Sequence, residues 1–566
     1  MSPTRPSGLH PAGVFWIACL LLAVTTDERF YGGIRDGKEM LSAAFALSQY
    51  GEIGVSREFV NAAPGPGGDA YSRYGMGTSI AEVLPMLLAR GLHAVSPGLA
   101  TGPLFVLLPL GCLAAAAAFT AASAAALGAG PLLAAAAGLA LVFATPAWGY
   151  GGSDYSEPLQ LAALSLTILA VLKLRKGAAS RGWEIAAGAS ASFSVLLKSL
   201  NILPASLLLL PVLFEFVVGS EGRGGRKKKE TVRRTRLRWA LATAWGTGLA
   251  LWAALELVRF GKLFGGYPGE DFAYPFFTGL LRLTVLPNKG LLVYAPVLLF
   301  VPLGLAALWR SDRLLTASLG LAGASYFATA SGWWAWDGQS GWGPRLVVPA
   351  LSALVLLTVP ALVPAHRPVL ALAGLLAVAG LAVNISGAFY PFGAAYLIAE
   401  VSEPQPMPES RAEGTPYEIE RRPDGTLIAT GPHHLSLTPA WWPPYFHGRL
   451  LAERVRGGDV VLRLRDGALS DLNPPLVVRP PDSPSAAFDL SVAPFRWPFV
   501  GRSWIQPPPR RVDPYRDAMR DQFVRALQVG KTARADTLRS VLGPDAPAIE
   551  RRPPFPVFPY RATPTR

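Results

Sequence analysis

The pattern of apolar and polar positions divides the chain near residue 390. Before that point, apolar runs recur at 13–26, 103–126, 130–148, 155–174, 184–198, 200–218, 238–258, 290–309, 314–331, 345–362 and 368–388. Each approaches the length a helix needs to cross a bilayer, so the pattern predicts about 11 transmembrane helices. The first run, Gly13 to Thr25, is followed by Thr26-Asp27-Glu28 and not by a small-x-small cleavage site, so it is read as a retained helix. A further run, 79–95, carries Glu82, Arg90 and His93. Charge is costly at the bilayer centre, and this segment is expected to lie as a helix in the interface. After Phe389 no run is long enough to span. Segments 458–464, 475–478 and 488–492 alternate weakly like strands, and 515–541 reads as one amphipathic helix ending at Gly543. The expected fold class is a mainly α, polytopic membrane protein: a transmembrane domain over 1–398 and a C-terminal extracytoplasmic α+β or irregular domain over 399–566. No internal repeat of useful period is present.

Composition agrees with the pattern. Charged residues make up 16% of the 566 residues, against about 25% in soluble domains. Cys19 and Cys112 both lie inside apolar runs, so no disulfide framework is expected. The net charge of +14 resembles a nucleic-acid signal, but no recognition motif accompanies it, and basic inner loops give the same excess. Nucleic acid is therefore not an expected partner. The heaviest basic run, Arg223 to Arg238, is assigned to the cytoplasm. Counting spans from it places Arg5, Lys173, Arg175, Lys176, Arg181, Arg310, Arg313, His366 and Arg367 on the same side. Segments 27–102, 149–154, 259–289, 332–344 and everything after 389 fall on the other, extracytoplasmic side. The inner connectors are short and basic, whereas the outer ones hold the unusual residues, and chemistry is expected there. The chain is thus expected to be a multi-pass protein of a plasma or inner membrane.

The first outer loop opens with four carboxylates, Asp27, Glu28, Asp36 and Glu39. From Met40 onward apolar residues recur at helical spacing. Asp36 can cap that helix with Glu39 completing a capping box. A carboxylate at a membrane edge with limited solvent also suits a general base, and the two roles are compatible. Further along the loop, Arg73 and Tyr74 can line a phosphate or sugar site, or anchor the loop at the membrane surface. Asp154 and Glu157 sit in the first turn that opens the 155–174 run, where a carboxylate favours the helix dipole; Glu157 lies deepest and is the better placed of the two to line a site. Lys198, Arg259, Lys262, Lys289 and Arg345 flank span ends. Each alone reads as a snorkelling end-cap, but together they gather cations on the face that carries Asp36. A helix N-terminus beside Lys289 adds donors for an anion, and the set suits a lipid-linked phosphate whose leaving-group charge needs neutralising. The loop from Gly332 to Arg345 holds Trp333, Trp334, Trp336 and Trp342 with Asp337, which fits an aromatic belt or stacking on sugar rings equally. His433, His434 and His447 match no standard zinc spacing, and no metal ligands are assigned.

Four segments carry a family resemblance: Asp36 to Leu47 followed by Gly51-Glu52-Ile53; Tyr74-Gly75-Met76-Gly77 with Pro85; Phe260-Gly261-Lys262 to Tyr267 followed by Lys289-Gly290-Leu291-Leu292-Val293-Tyr294-Ala295-Pro296; and Trp336-Asp337-Gly338 to Gly343-Pro344-Arg345. In this order, all on the expected outer face, they resemble the GT-C superfamily of polytopic glycosyltransferases, close to its protein O-mannosyltransferase-like branch, over roughly residues 13–390. The sequence departs from the pattern at Gln339-Ser340, where the family often has a second glycine. The resemblance implies inverting transfer of a sugar from a polyprenyl-phosphate donor to a protein or cell-envelope glycan acceptor outside the cytoplasm. The first-loop aspartate that acts as base maps onto Asp36, with Asp27-Glu28 as a competing acidic pair. Lys289 and Arg345 are expected to hold the leaving phosphate with help from Arg73 or Lys198, and Trp336 and Asp337 to shape the sugar pocket. Glu28 and Glu39 are open between supporting the site and capping the helix. Family members differ in metal use, which leaves a divalent metal open. Membrane lipid is the remaining expected partner. Two other readings stand beside this one. A transporter or flippase of a lipid-linked saccharide would spread charge along a path through the bilayer, and a structural membrane protein would bind envelope polymer through its outer tail. The nearly charge-free middles of the spans favour the enzyme.

Overall fold

The computed structural model describes residues 10–26, 35–59, 62–96, 99, 101–177, 180–219, 227–267, 272–338, 341–389, 418–421, 427–430, 444, 447–448, 461–465, 468–469, 476–477, 489–491, 513–543 and 546. The helices in order are α1 (Pro11–Thr25), α2 (Arg35–Tyr50), α3 (Met76–Val95), α4 (Gly102–Ala126), α5 (Pro131–Phe143), α6 (Glu157–Arg175), α7 (Arg181–Leu197), α8 (Ile202–Gly219), α9 (Lys227–Phe260), α10 (Phe276–Val285), α11 (Leu291–Tyr294), α12 (Val301–Ser311), α13 (Arg313–Gly332), α14 (Leu351–Leu362), α15 (Arg367–Phe389), α16 (Pro514–Gln528) and α17 (Thr532–Leu542). Every apolar run falls on a helix or helix pair. Among the described residues, five stretches are long and apolar enough to cross a membrane: Gly102–Ala126, Glu157–Arg175, Trp239–Phe260, Arg345–Leu362 and Arg367–Ala388. The last exposes most of its surface, with Leu372, Leu375 and Val378 outward, as a lipid-facing helix does.

Alanine-rich faces let the backbones approach closely where lipid removes the usual hydrophobic drive. Helix α4 packs on α1, α5 and α6 through this device, with Ala114, Ala117, Ala121 and Ala124 buried. The main core continues through Leu161, Leu164 and Ile168 of α6 to Leu319 and Ala322 of α13 and Leu351 and Leu356 of α14. Helix α9 packs along α7, and α8 along α13.

Three expected elements differ in detail. The 290–309 run is not one rod: α11 ends at Tyr294, Ala295 turns out of helical geometry, and a 3-10 turn Pro296–Phe300 precedes α12. Pro296 lacks an N–H and restricts the residue before it, which accounts for the break. The 130–148 run ends as α5 at Phe143, and Pro146–Tyr150 forms a 3-10 turn. The single helix expected over 515–541 is two. Gly530 at φ +74° turns the chain between α16 and α17 into a helical hairpin.

The 79–95 segment belongs to α3, which packs on α2, α4 and α7. Its other face exposes Leu84, Leu87, Leu88 and Val95, while Glu82 is fully buried. Between α2 and α3 lies a small antiparallel sheet, β1 (Gly54–Val55), β2 (Ala62–Pro64) and β3 (Ala70–Ser72), in the order β1-β3-β2. In the C-terminal part, β4 (Glu418–Arg421) pairs with β5 (Leu427–Thr430). Strands β6 (Val461–Arg465), β7 (Ala468–Leu469), β8 (Leu476–Val477) and β9 (Asp489–Ser491) form a sheet ordered β8-β7-β6-β9.

The α16–α17 hairpin is seated on α2. Tyr515, Met519, Phe523 and Leu538 share one apolar core with Leu41 and Phe45 of α2, Met86 of α3 and Phe105 of α4.

Candidate functional site

Several helix ends meet at one end of the bundle. There they enclose a small, partly open cleft of about 50 Å³. The first two turns of α2 supply Asp36 and Met40, and the turn after β3 supplies Arg73, Tyr74 and Gly75. The entry to α6 gives Tyr155, Ser156 and Glu157, and the exit of α7 gives Leu197 and Lys198. Tyr267 comes from the loop after α9, Trp333, Trp334 and Ala335 from the exit of α13, and Gly338 and Arg345 from the turn that leads into the 3-10 segment Arg345–Ala350.

Arg345 is the centre of the arrangement. Its Nη1 lies 3.4 Å from Asp36 Oδ2, its Nε 3.7 Å from Glu157 Oε1, and its guanidinium 4.2 Å from the Tyr155 ring centroid. The charged lining is Asp36 and Glu157 against Arg73, Lys198 and Arg345, so cations outnumber carboxylates. The balance of charge in the lining suits an anionic group.

Local sequence explains how these groups are placed. Gly37 is backed by the Asp154 carboxylate, which occupies the space a Cβ would need. A larger residue there would force the Asp154 side chain or the first turn of α2, which carries Asp36, to shift. A Cβ at Gly75 or Gly77 would run into the backbone of Leu196 and Leu197, so the Tyr74-Gly75-Met76-Gly77 stretch lies flat against the end of α7 beside Lys198. A buried ion pair holds the same turn from the other side. Arg259, paired with Glu256, donates to the carbonyls of Ser72 (3.0 Å) and Tyr74 (2.7 Å). Glu256 also accepts from the Gly265 N–H at 3.2 Å. The Arg73 guanidinium then sits 5.3 Å from both the Tyr74 and the Tyr267 ring centroids. Burial, with Asp36 nearby, pushes the Tyr74 hydroxyl well above the usual tyrosine range, so it stays a neutral donor.

The residues expected from sequence separate into groups. Asp36, Arg73, Tyr74, Glu157, Lys198 and Arg345 line the cleft. Lys289, Trp336, Asp337 and Glu39 are fully buried and are not among its lining residues. Lys289 Nζ donates to the Gly341 carbonyl at 2.7 Å and so braces the turn that carries Arg345. Burial pushes the Lys289 ammonium down to about 7, against the opposing pull of Asp337. Trp336 stacks on Tyr274 with ring centroids 5.3 Å apart, and the Arg282 guanidinium lies 5.4 Å from its ring. Glu39 accepts from Ser72 Oγ at 3.3 Å, and Asp36 lies within the first turn of α2, so the expected capping box is replaced by a tie to β3. Asp27 and Glu28 lie outside the described residues, as do His433 and His434. His447 is buried 5.0 Å from the Trp342 ring and 3.3 Å from the Ser386 carbonyl, and burial pushes its imidazole down to about 4. Among the described residues no group of three or more His, Cys, Asp or Glu could hold a metal ion.

Tyr155, Tyr267, Trp333 and Trp334 line the cleft without having been singled out as site residues. The signal for the tryptophans was their place in the Trp-rich loop. Tyr155 precedes Glu157 at a helix entry, and Tyr267 closes the Phe260–Tyr267 segment.

A search of family models finds no match to the chain, and no curated protein matches its sequence. Among the solved structures with distantly similar folds are the following two. One is ArnT from Cupriavidus metallidurans bound to undecaprenyl phosphate, with 15% identity and a TM-score of 0.42, over 79% of this chain and 71% of that one. The other is the Archaeoglobus fulgidus oligosaccharyltransferase tethered with an acceptor peptide containing the NVT sequon, with 12% identity and a TM-score of 0.38, over 69% of this chain and 57% of that one. Neither likeness is close enough to define the chemistry of this chain.

Proposed function

We propose that the chain is a membrane glycosyltransferase that moves a sugar from a polyprenyl-phosphate donor to a hydroxyl of a protein or cell-envelope glycan, with inversion, on the extracytoplasmic side of an inner or plasma membrane. The observation that carries this reading is the meeting of Asp36 with Arg345, Arg73 and Lys198 in one cleft at one end of an apolar helix bundle. Such a cleft serves a substrate whose phosphate sits at the membrane edge. The resemblance to the O-mannosyltransferase-like branch fits a hexosyl or pentosyl donor, and on this reading the apolar runs form about 11 spans, five of which are long and apolar enough to cross a membrane among the described residues.

In this structure Arg345 is shared between Asp36 and Glu157. A donor phosphate competes for that guanidinium, since a fork of N–H groups binds phosphate in two places, and Arg73 and Lys198 complete the anion site. Taking Arg345 toward the phosphate loosens its pairing with Asp36. Asp36 then accepts the proton of the acceptor hydroxyl as its oxygen attacks the anomeric carbon. The bond from that carbon to the phosphate oxygen breaks, and the polyprenyl phosphate leaves with the bonding pair, its charge met by the cations. Glu157 keeps Arg345 oriented throughout, and Trp333 and Trp334 offer apolar faces to the sugar. Lys289, Trp336, Asp337 and Glu39 support this surface from behind and do not touch the substrate.

The test is transfer of radiolabel from a panel of polyprenyl-phosphate sugars by membranes containing the protein. Transfer from at least one donor, absent from membranes that lack the protein, is the expected result. Transfer from none, with the purified chain folded, overturns the reading.

A further inference from the structure

The α16–α17 hairpin comes from the far end of the chain, yet it is bound to the helix that carries Asp36 by more than apolar contact. Gln522 is almost fully buried in that contact. Its Nε2 donates to the Ser42 carbonyl (3.1 Å), Ser42 Oγ (3.0 Å) and the Gly54 carbonyl (3.0 Å), joining α16 to both α2 and β1. At the other end of α2, Glu52 collects three cations of the hairpin. Arg525 lies at 2.8 Å, Lys531 at 2.6 Å and Arg534 at 2.9 Å. The Arg534 hydrogen bond, followed by those of Lys531 and Arg525, holds the Glu52 carboxyl well below the usual carboxylate range. Asp513, the residue before α16, accepts from Thr101 Oγ1 at 2.6 Å, which fixes the hairpin to the start of α4 as well.

Helix α2 depends on this hairpin. One of its faces, Leu41, Ala44 and Phe45, finds its apolar partners in α3, α4 and the hairpin together. Its first turn reaches the cleft, where Asp36 must stay within a few ångströms of Arg345. An isolated helix of 16 residues is marginal, so its stability and direction come from what it packs on.

We propose that the C-terminal hairpin is part of the active unit and that Gln522 is a positioning residue, which holds α2 so that Asp36 is presented to the cleft. A buried amide that bridges helix and sheet backbone fixes the rotation of α2 more sharply than apolar packing alone, because each donor requires a particular geometry. The effect on the reaction rests on the transferase reading, whereas the mechanical coupling of hairpin and α2 does not.

The two parts are therefore tested separately on the full-length protein in detergent or nanodiscs. In the wild type, hydrogen exchange with rising denaturant should show residues 35–50 and 514–542 opening together as one cooperative unit. Opening of 514–542 at markedly lower denaturant, with 35–50 still protected, overturns the proposal whatever the enzyme does. In a transfer assay, Gln522→Leu should lower kcat about tenfold while the donor KM changes little, the split expected when the base and not the donor site is displaced. Ser540→Ala, on the exposed side of the hairpin, should match the wild type. Unchanged kcat in Gln522→Leu, with accelerated exchange confined to the hairpin, overturns the positioning role. If Gln522→Leu does not accumulate, Glu52→Gln takes its place, with the same outcomes. If neither accumulates, the wild-type exchange result decides. A wild type that transfers from no donor refutes the transferase reading and leaves the exchange result standing.

Discussion

The two ends of the helix bundle are built for different tasks. At one end, entries and exits of α2, α6, α7 and α13 spread apart around a cleft lined with Asp36, Glu157, Arg73, Lys198 and Arg345. At the other, the connectors are short, and an ion pair of Arg175 with Asp312 at 2.6 Å ties the end of α6 to the start of α13. Arg175 also reaches the Pro211 carbonyl of α8 at 3.2 Å. Both ends carry basic residues, so charge alone does not distinguish them. What differs is that Arg175 closes a joint between helices, whereas Arg73, Lys198 and Arg345 line a cleft.

Substitutions at the two ends should therefore separate cleanly. Arg345→Ala removes the counter-ion of both Asp36 and Glu157 and the proposed phosphate contact; transfer should fall by about 10²- to 10³-fold, read as kcat/KM. Gly37→Ala adds a Cβ where the Asp154 carboxylate sits, so it should cost about 1–3 kcal/mol in overpacking and lower kcat by displacing Asp36. Thermal unfolding in detergent alongside the transfer assay measures both. Asp521→Asn should have a smaller effect, visible in pH dependence. Burial, followed by the charge of Asp517, pushes the Asp521 carboxyl up to about 7. The folded chain therefore holds a proton that the unfolded chain gives up between about pH 4 and 7, and stability falls across that window as pH rises. The asparagine variant should lose that slope and gain roughly 1 kcal/mol at pH 8, discounted for partial exposure. Smallest of all, Arg175→Ala at the opposite end should cost less than about 1 kcal/mol of stability and leave transfer unchanged. A large loss of transfer in this last variant would erase the difference between the ends.

The helical architecture was legible because apolar runs of membrane length have few other solutions, and every such run lies on helix. Breaks at Pro296 and Pro146 could have been read from the prolines themselves. The weak strand signals near 461, 476 and 489 also correspond to strands. Half of the candidate site was legible for a similar reason. Charges at helix ends have a face, and Asp36, Glu157, Lys198 and Arg345 share one. Direction was not legible. Lys289 and Trp336 sit at comparable places in the sequence but turn inward, to the Gly341 carbonyl and the Tyr274 ring, and no local pattern distinguishes a side chain that enters a cleft from one that braces it. Nor could the sequence name the partner of the apolar stripe in 515–541. The stripe predicts that a face will be buried, and only the fold shows that it is buried on the helix of Asp36, more than 470 residues earlier, as the Gln522–Ser42 contact marks. Gly530 was the available sign that the stripe is a hairpin.

The central claim is that Asp36 removes the acceptor proton in the cleft held by Arg345. Single-turnover transfer by purified Asp36→Asn, with donor binding measured separately, tests it most directly, because asparagine keeps the shape and loses the basicity. The account predicts a rate lower by about 10²- to 10⁴-fold with donor affinity largely retained. A variant that transfers at close to the wild-type rate would contradict it.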